Sequence, residues 1–301
     1  MGFIFRGLTF LLCVVVSSSV LADVCDDAWH SASDATSSQL LWTRCENKVG
    51  TSPTAKDFYI LALYKKQQFP ITHSDGLEDL LNNKENKRFR SLEQENYSRV
   101  ISLLRASAKK GFVRAQYELG EIFSDEAYGD NPIFARKHLH KYYNPDKAFY
   151  WYGQAANRGN ADAEEKLAKF YLDGTVVKRD IGRAFSLLVK SAKQENSSAA
   201  YDLALHFTAM QSQNTDILGY AWFLYYKKLK SMGRYATPQT LASLDDQFTL
   251  ARRIRGRSKP ISEREKRIAN LLVKDLSRGR YNDMGIPITL QKLAGARNGP
   301  K

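Results

Sequence analysis

Five positive charges, Arg252, Arg253, Arg255, Arg257 and Lys259, fall within one short stretch of the chain. A cluster of that density attracts anions. From Arg252 to Lys301 there are fourteen Lys and Arg against four Asp and Glu, a net of +10 out of the whole chain's +13, so the basic character is local to the C-terminal part. Cys25 and Cys45 form a second candidate group. They flank a polar stretch without the close C-x-x-C spacing of redox or metal pairs, which favours a disulfide worth roughly 3 kcal/mol on a chain-entropy estimate. His138 and His140 invite a metal reading, but two residues apart on a helix they point to different faces, with no carboxylate or cysteine cluster beside them. No metal or cofactor is expected. The chain has no G-x-S-x-G elbow, no phosphate-binding glycine loop and no H-E-x-x-H helix, and Glu164 and Glu165 read as the solvated face of an amphipathic helix. These features point away from catalysis.

The elements that must carry such residues repeat. Ala148, Trp151, Ala155, Ala156 and Gly159 are followed 36 residues later by Ala184, Leu187, Ser191, Ala192 and Glu195. Ala163, Leu167 and Tyr171 are followed at the same spacing by Ala199, Leu203 and Phe207. A period of this length indicates stacked helix pairs, with small residues where helices approach closely and large apolar ones on the buried face. Counting back four residues from Val100, Ala148, Ala184 and Gly219 predicts helix caps at Asn96, Asn144, Asp180 and Thr215, with Pro145 in the first turn behind Asn144.

The run from Ala148 to Gly174, A-x-x-W-Y-x-x-A-A-x-x-G-x-A-x-A-x-x-x-L-x-x-x-Y-x-x-G, resembles the Sel-1-like repeat, a relative of the tetratricopeptide repeat. KKGFVRAQYELGEIF before it and GYAWFLYYKKLKSMG after it are similar to other segments of that family, as is TPQTLASLDDQFTLARRI to its extra closing helix. The resemblance covers roughly residues 96 to 255. It implies an all-α, right-handed solenoid of helical hairpins with helical N- and C-terminal caps. One branch of the family, rich in cysteine, is associated with β-lactam binding or hydrolysis; its cysteine pair per repeat is missing here, so that activity is not carried over.

Around the repeats the expected organisation is a signal peptide over 1–22, a helical cap region over 23–95, repeats over 96–233, basic helices over 234–277 and a flexible basic tail over 278–301. The signal reading rests on Arg6, the short apolar run from Leu8 to Val16 and Ala22 before Asp23. It predicts export, to a periplasm or beyond, where a disulfide persists. Lys84 to Arg90 reads as a surface loop. An insertion near 124–146 enlarges one repeat and carries Tyr128, Phe134, Tyr142 and Tyr143 among basic residues; a contact surface and a lengthened packed helix are both compatible with it. Thr237 and Pro238 mark one helix start, and Ser262 with Glu265 marks a capping box.

The residues facing outward from the first helix of each repeat are Arg114, Glu118, Glu121, Asp162, Glu165, Lys169, Asp202 and His206. They form the expected partner-binding strip on the concave surface, and the Arg252 to Lys259 cluster forms the expected anion site. The sequence therefore predicts a non-catalytic adaptor of the bacterial cell envelope with a protein partner and, through its basic end, anionic lipid or polysaccharide. Export argues against nucleic acid. Two alternatives stand beside this reading: an envelope hydrolase acting on cell-wall or β-lactam-related substrates, and an adaptor for misfolded proteins in a eukaryotic secretory pathway, which the sequons at Asn96 and Asn196 permit although Asn96 is better explained as a helix cap.

Overall fold

The computed structural model describes residues 25, 35–51, 53–68, 84–124, 142–210, 212–232, 238–254, 260–287 and 289. The described residues form eleven helices, with one isolated antiparallel bridge between Tyr281 and Pro287. The 1–22 signal reading, most of the insertion including His138 and His140, and Arg255, Arg257 and Lys259 lie outside them. None of the described helices is long and apolar enough to cross a membrane.

The chain divides into two compact units at Phe112 and Val113. In the first, α1 (Ala35–Thr51) and α3 (Lys84–Lys109) both pack on α2 (Ala55–Gln68). Thr54 and Asp57 start α2 by exchanging hydrogen bonds, Thr54 N to Asp57 Oδ2 at 2.8 Å and Asp57 N to Thr54 Oγ1 at 3.2 Å. The Trp42 and Tyr64 rings stack with centroids 3.7 Å apart. Cys25 and Cys45 form a disulfide. Helix α3 corrects two expectations. Its 26 residues contain neither Gly nor Pro, so nothing breaks it at the polar Lys84 to Arg90 run, which is helical rather than a loop. Asn96 consequently sits inside the helix and not at its cap, where its Nδ2 donates to Lys65 O at 2.8 Å.

The second unit contains α4 (Val113–Phe123), α5 (Pro145–Ala156), α6 (Ala161–Asp173), α7 (Ile181–Lys193), α8 (Ser197–Ala209), α9 (Gln213–Ser231), α10 (Pro238–Ile254) and α11 (Glu263–Leu276). From α4 to α10 each helix packs on the next, and α11 packs on α9. The small positions paired by the 36-residue spacing are buried at both copies: Ala148 with Ala184, Ala155 with Ser191, Ala156 with Ala192 and Ala163 with Ala199. The turn is repeated too, because Gly159 at φ 83° and Glu195 at φ 63° both stand in the left-handed region just before a capping asparagine. Asn144 and Asp180 cap α5 and α7 as expected, accepting from Lys147 N and Arg183 N. Thr215 does not cap α9. The helix starts three residues earlier at Ser212, and Thr215 is the return partner in that capping box.

Pro238 opens α10, and Ser262 with Glu265 forms the expected box at α11. The residues after α11 are not a free tail as far as Thr289. Trp222 Nε1 donates to Gly285 O at 2.9 Å, Thr289 N donates to Asp275 Oδ2 at 2.9 Å, and Tyr281 is buried against Trp222.

Candidate functional site

Sequence spacing alone puts Asp162, Glu165, Lys166 and Lys169 on one face of α6, because neighbouring members lie three or four residues apart around the helix. Helix α4 sets Tyr117 on one side of this face. Helix α8 sets Tyr201 and Asp202 on the other, and the far end of α9 brings Tyr226 and Lys230. Together they line an open cleft of about 390 Å³.

Its charges are already organised. Lys169 Nζ stands 2.7 Å from Glu165 Oε1, and Lys166 Nζ stands 3.8 Å from Glu121 Oε1. Glu121 is fixed from behind by Tyr152, whose hydroxyl donates to it at 2.6 Å. At the α8 cap, Asn196 Nδ2 donates to Asp162 Oδ1 at 3.0 Å. Tyr201 and Tyr226 face each other with ring centroids 4.9 Å apart, and Lys230 lies 5.8 Å from the Tyr226 ring.

Burial dominates the proton affinities here. The Glu165 carboxyl is pushed up to about 7 by desolvation, with Lys169 opposing and Asp202 reinforcing the shift. Desolvation also raises Asp202 and lowers Lys166, whereas at Lys169 the bond to Glu165 outweighs burial and the ammonium is held more firmly. A carboxylate removed from water next to another carboxylate resists ionisation. Asp202 and Glu165 share a side-chain hydrogen bond, which favours the proton on Glu165 and the charge on Asp202. Among the described residues no group of three His, Cys, Asp or Glu is placed to hold a metal ion.

Of the strip expected from sequence, Asp162, Glu165, Lys169 and Asp202 meet in this cleft, and Glu121 reaches it through Lys166. Arg114 and Glu118 do not line it. His206 turns toward α7, its ring 6.0 Å from that of Phe185. Tyr117, Lys166, Tyr201, Tyr226 and Lys230 were not among the expected residues. A signal for two of them was available, since Glu165 shifted back by 48 residues gives Tyr117 and shifted forward by 36 gives Tyr201. The expectation that Glu164 and Glu165 are solvated is wrong. Glu164 is fully buried, 2.6 Å from Lys190 Nζ and accepting from Gln194 Nε2 at 2.9 Å, and Glu165 is 4% exposed.

The basic cluster is divided. Arg252 is buried at 6% exposure and gives both sides of its guanidinium to Asp216, Nη2 to Oδ2 at 2.7 Å and Nε to Oδ1 at 3.4 Å. Arg253 is exposed.

The repeated hairpins match a known family. Residues 113–160 and 161–196 each match the Sel1 repeat. This stretch carries two Sel1 repeats. The Sel1 units begin where the second compact unit begins, and the residues of α4, α6 and the α8 cap that line the cleft fall inside them. The chain is similar to the uncharacterized protein YibG of Escherichia coli K12, 38% identical over 74 residues that make up 25% of this chain and 42% of YibG. Its fold is similar to the crystal structure of c5321, a protective antigen of uropathogenic E. coli strains displaying an SLR fold, with a TM-score of 0.55 and 20% identity. That likeness takes in 92% of this chain but only 48% of the c5321 chain, so the chain spans less than half the length of both relatives.

Proposed function

We propose that this chain is an exported, non-catalytic interaction scaffold that holds a protein partner in the cleft between α4, α6, α8 and α9. The observation that carries the reading is the cleft itself: four helices of successive hairpins converge on an open hollow lined by paired charges and tyrosines. Tyrosine supplies contact area at low entropic cost, and charge pairs give orientation and specificity. Glu165 and Lys169 are engaged with each other, an arrangement suited to gripping a segment and not to presenting a lone acid or nucleophile. The disulfide and the leader reading support export to the envelope. The basic C-terminal excess supplies a second, weaker attraction for anionic lipid or polysaccharide, carried by Arg253 and the residues after it and not by Arg252.

The test is a crosslinking pull-down from envelope fractions with wild type, Tyr201→Ala and Lys230→Glu. Both positions are on the cleft wall and neither is fully buried. Loss of one stoichiometric protein in the variants supports the reading; recovery of the same partner in equal amount from all three defeats it. Truncation before Arg252 is unsuitable, because it removes α11 and the residues that cover Trp222.

A further inference from the structure

We infer that the outward face of α11 docks on an anionic lipid bilayer, through a basic stripe of Arg264, Arg267, Lys274 and Arg278 with Leu271 at its centre. This inference rests on the reading of the basic C-terminal end given above, and it names the surface and the partner. Three observations carry it.

The first is the register. Along α11 and just past its cap Ser277 these five residues recur at spacings of three and four, so at 3.6 residues per turn they fall within an arc of about 80°. All five are exposed. Ala269, Leu272 and Leu276 occupy the opposite arc and are buried, where the helix packs on α9. The stripe is therefore the side of α11 turned to solvent, and at 1.5 Å per residue it runs for roughly 20 Å.

The second is the fate of the acids. Helix α11 has three, Glu263, Glu265 and Asp275, and each is engaged off the stripe. Glu263 Oε1 stands 2.7 Å from Lys266 Nζ, Glu265 Oε2 accepts from Ser262 N and Oγ at 2.8 Å each, and Asp275 is buried with Arg280 and the Thr289 N–H. Arg267 also acts on Glu263 over a longer distance, but no described acid lies within ion-pair reach of any of the four cations. Like charges three or four residues apart disfavour a helix, and Arg264 with Arg267 and Lys274 with Arg278 are two such pairs. An anionic surface outside the chain relieves both.

The third is Leu271, 55% exposed between Arg267 and Lys274. A polysaccharide presents anions without an apolar phase, whereas a bilayer offers phosphate to the cations and the acyl boundary to the leucine. Long Arg and Lys stems keep their charged heads at the phosphates while the shorter leucine enters more deeply. A helix face is convex and meets a plane along its length.

The experiment measures partition of the full chain onto vesicles of phosphatidylcholine alone and of phosphatidylcholine with one-third phosphatidylglycerol, at about 0.1 M and 1 M salt. The apolar run from Leu8 to Val16 contributes to both vesicles alike, so it drops out of the ratio of the two partitions. Each Lys or Arg near such a surface strengthens binding about fivefold. The stripe thus predicts a ratio of about a hundred or more at low salt, lost at high salt.

Arg267→Gln with Lys274→Gln should lower that ratio about 20-fold. Lys109→Gln with Lys110→Gln, exposed cations of the other unit and the same change in net charge, should lower it less than about twofold. Leu271→Gln should weaken binding to the anionic vesicles about fivefold and leave binding to soluble alginate unchanged. Circular dichroism verifies the fold of each variant, and Arg264→Gln with Arg278→Gln serves should the first pair lose helicity.

Equal partition onto the two vesicles, or equal losses from the stripe pair and the Lys109 and Lys110 pair, overturns the inference. A loss confined to Arg253→Gln with Arg255→Gln and Arg257→Gln overturns it while the reading of the basic end stands; no loss from any of these variants overturns the two together. Alginate binding lowered by the stripe pair, with vesicle binding indifferent to Leu271→Gln, makes polysaccharide the occupant and overturns the bilayer.

Discussion

Gly120 on α4 lies directly beneath the ring of Tyr152 on α5, so that a Cβ built at Gly120 would stand 2.5 Å from two of the ring carbons. The same tyrosine donates its hydroxyl to Glu121, one residue further along α4. Close approach at a glycine thus places the phenol that holds Glu121 beside the cleft.

Gly120→Ala should accordingly lower stability by about 1–3 kcal/mol, the usual cost of overpacking a closed core. Chemical denaturation measures it. An unchanged midpoint would mean that α4 and α5 can separate without loss.

Glu195→Gly should do the opposite. Glu195 has φ 63° where the preceding turn has Gly159, and a non-glycine residue there carries roughly 1–2 kcal/mol of left-handed strain. A gain of about 1 kcal/mol in thermal or urea unfolding is expected, less the added entropy of glycine in the unfolded chain. A loss would show that the Glu195 side chain does more for the fold than its backbone costs.

Glu165 sets a pH dependence. Its folded proton affinity is raised to about 7 by burial, so its contribution to stability is full below the unfolded value near 4.3 and is lost as pH rises through 7. The full span is roughly 3 kcal/mol on that linkage. Glu165→Gln should flatten the stability profile between pH 5 and pH 8, measured by urea unfolding at each pH. Identical profiles for variant and wild type would mean that Glu165 ionises without cost.

Arg252→Ala should destabilise by about 3 kcal/mol because it leaves Asp216 without the buried guanidinium that neutralises it. Arg253→Glu should leave the melting temperature unchanged and reduce binding to anionic vesicles in a salt-dependent way. Equal effects of the two substitutions on melting would contradict the division of the cluster.

These pairs show where the sequence was legible. The repeat register is carried by small residues such as Ala148 and Ala184, whose burial is dictated by local crowding and so can be read from spacing. The caps at Asn144 and Asp180 are equally local. Asn96 and Thr215 misled because a good capping side chain works elsewhere too: Asn96 bonds Lys65 O from inside a helix that nothing interrupts, and Thr215 answers Ser212. Glu164 misled for a longer-range reason. A charged residue on a helix reads as solvated until a cation from the next helix, here Lys190, is known to reach it. The cleft was half legible, since the outward positions of α6 follow from helix geometry, whereas the contribution of Tyr226 and Lys230 depends on the length of α9 and on where its last turn ends.

The most direct test of the central claim is site-specific photocrosslinking in the native envelope, with the photoreactive residue placed at Ser198 or Tyr226 in the cleft and at Ser186 on the exposed face of α7. A single protein adduct from Ser198 and Tyr226, absent from Ser186, is the predicted result. An adduct from Ser186 with none from either cleft position would contradict it.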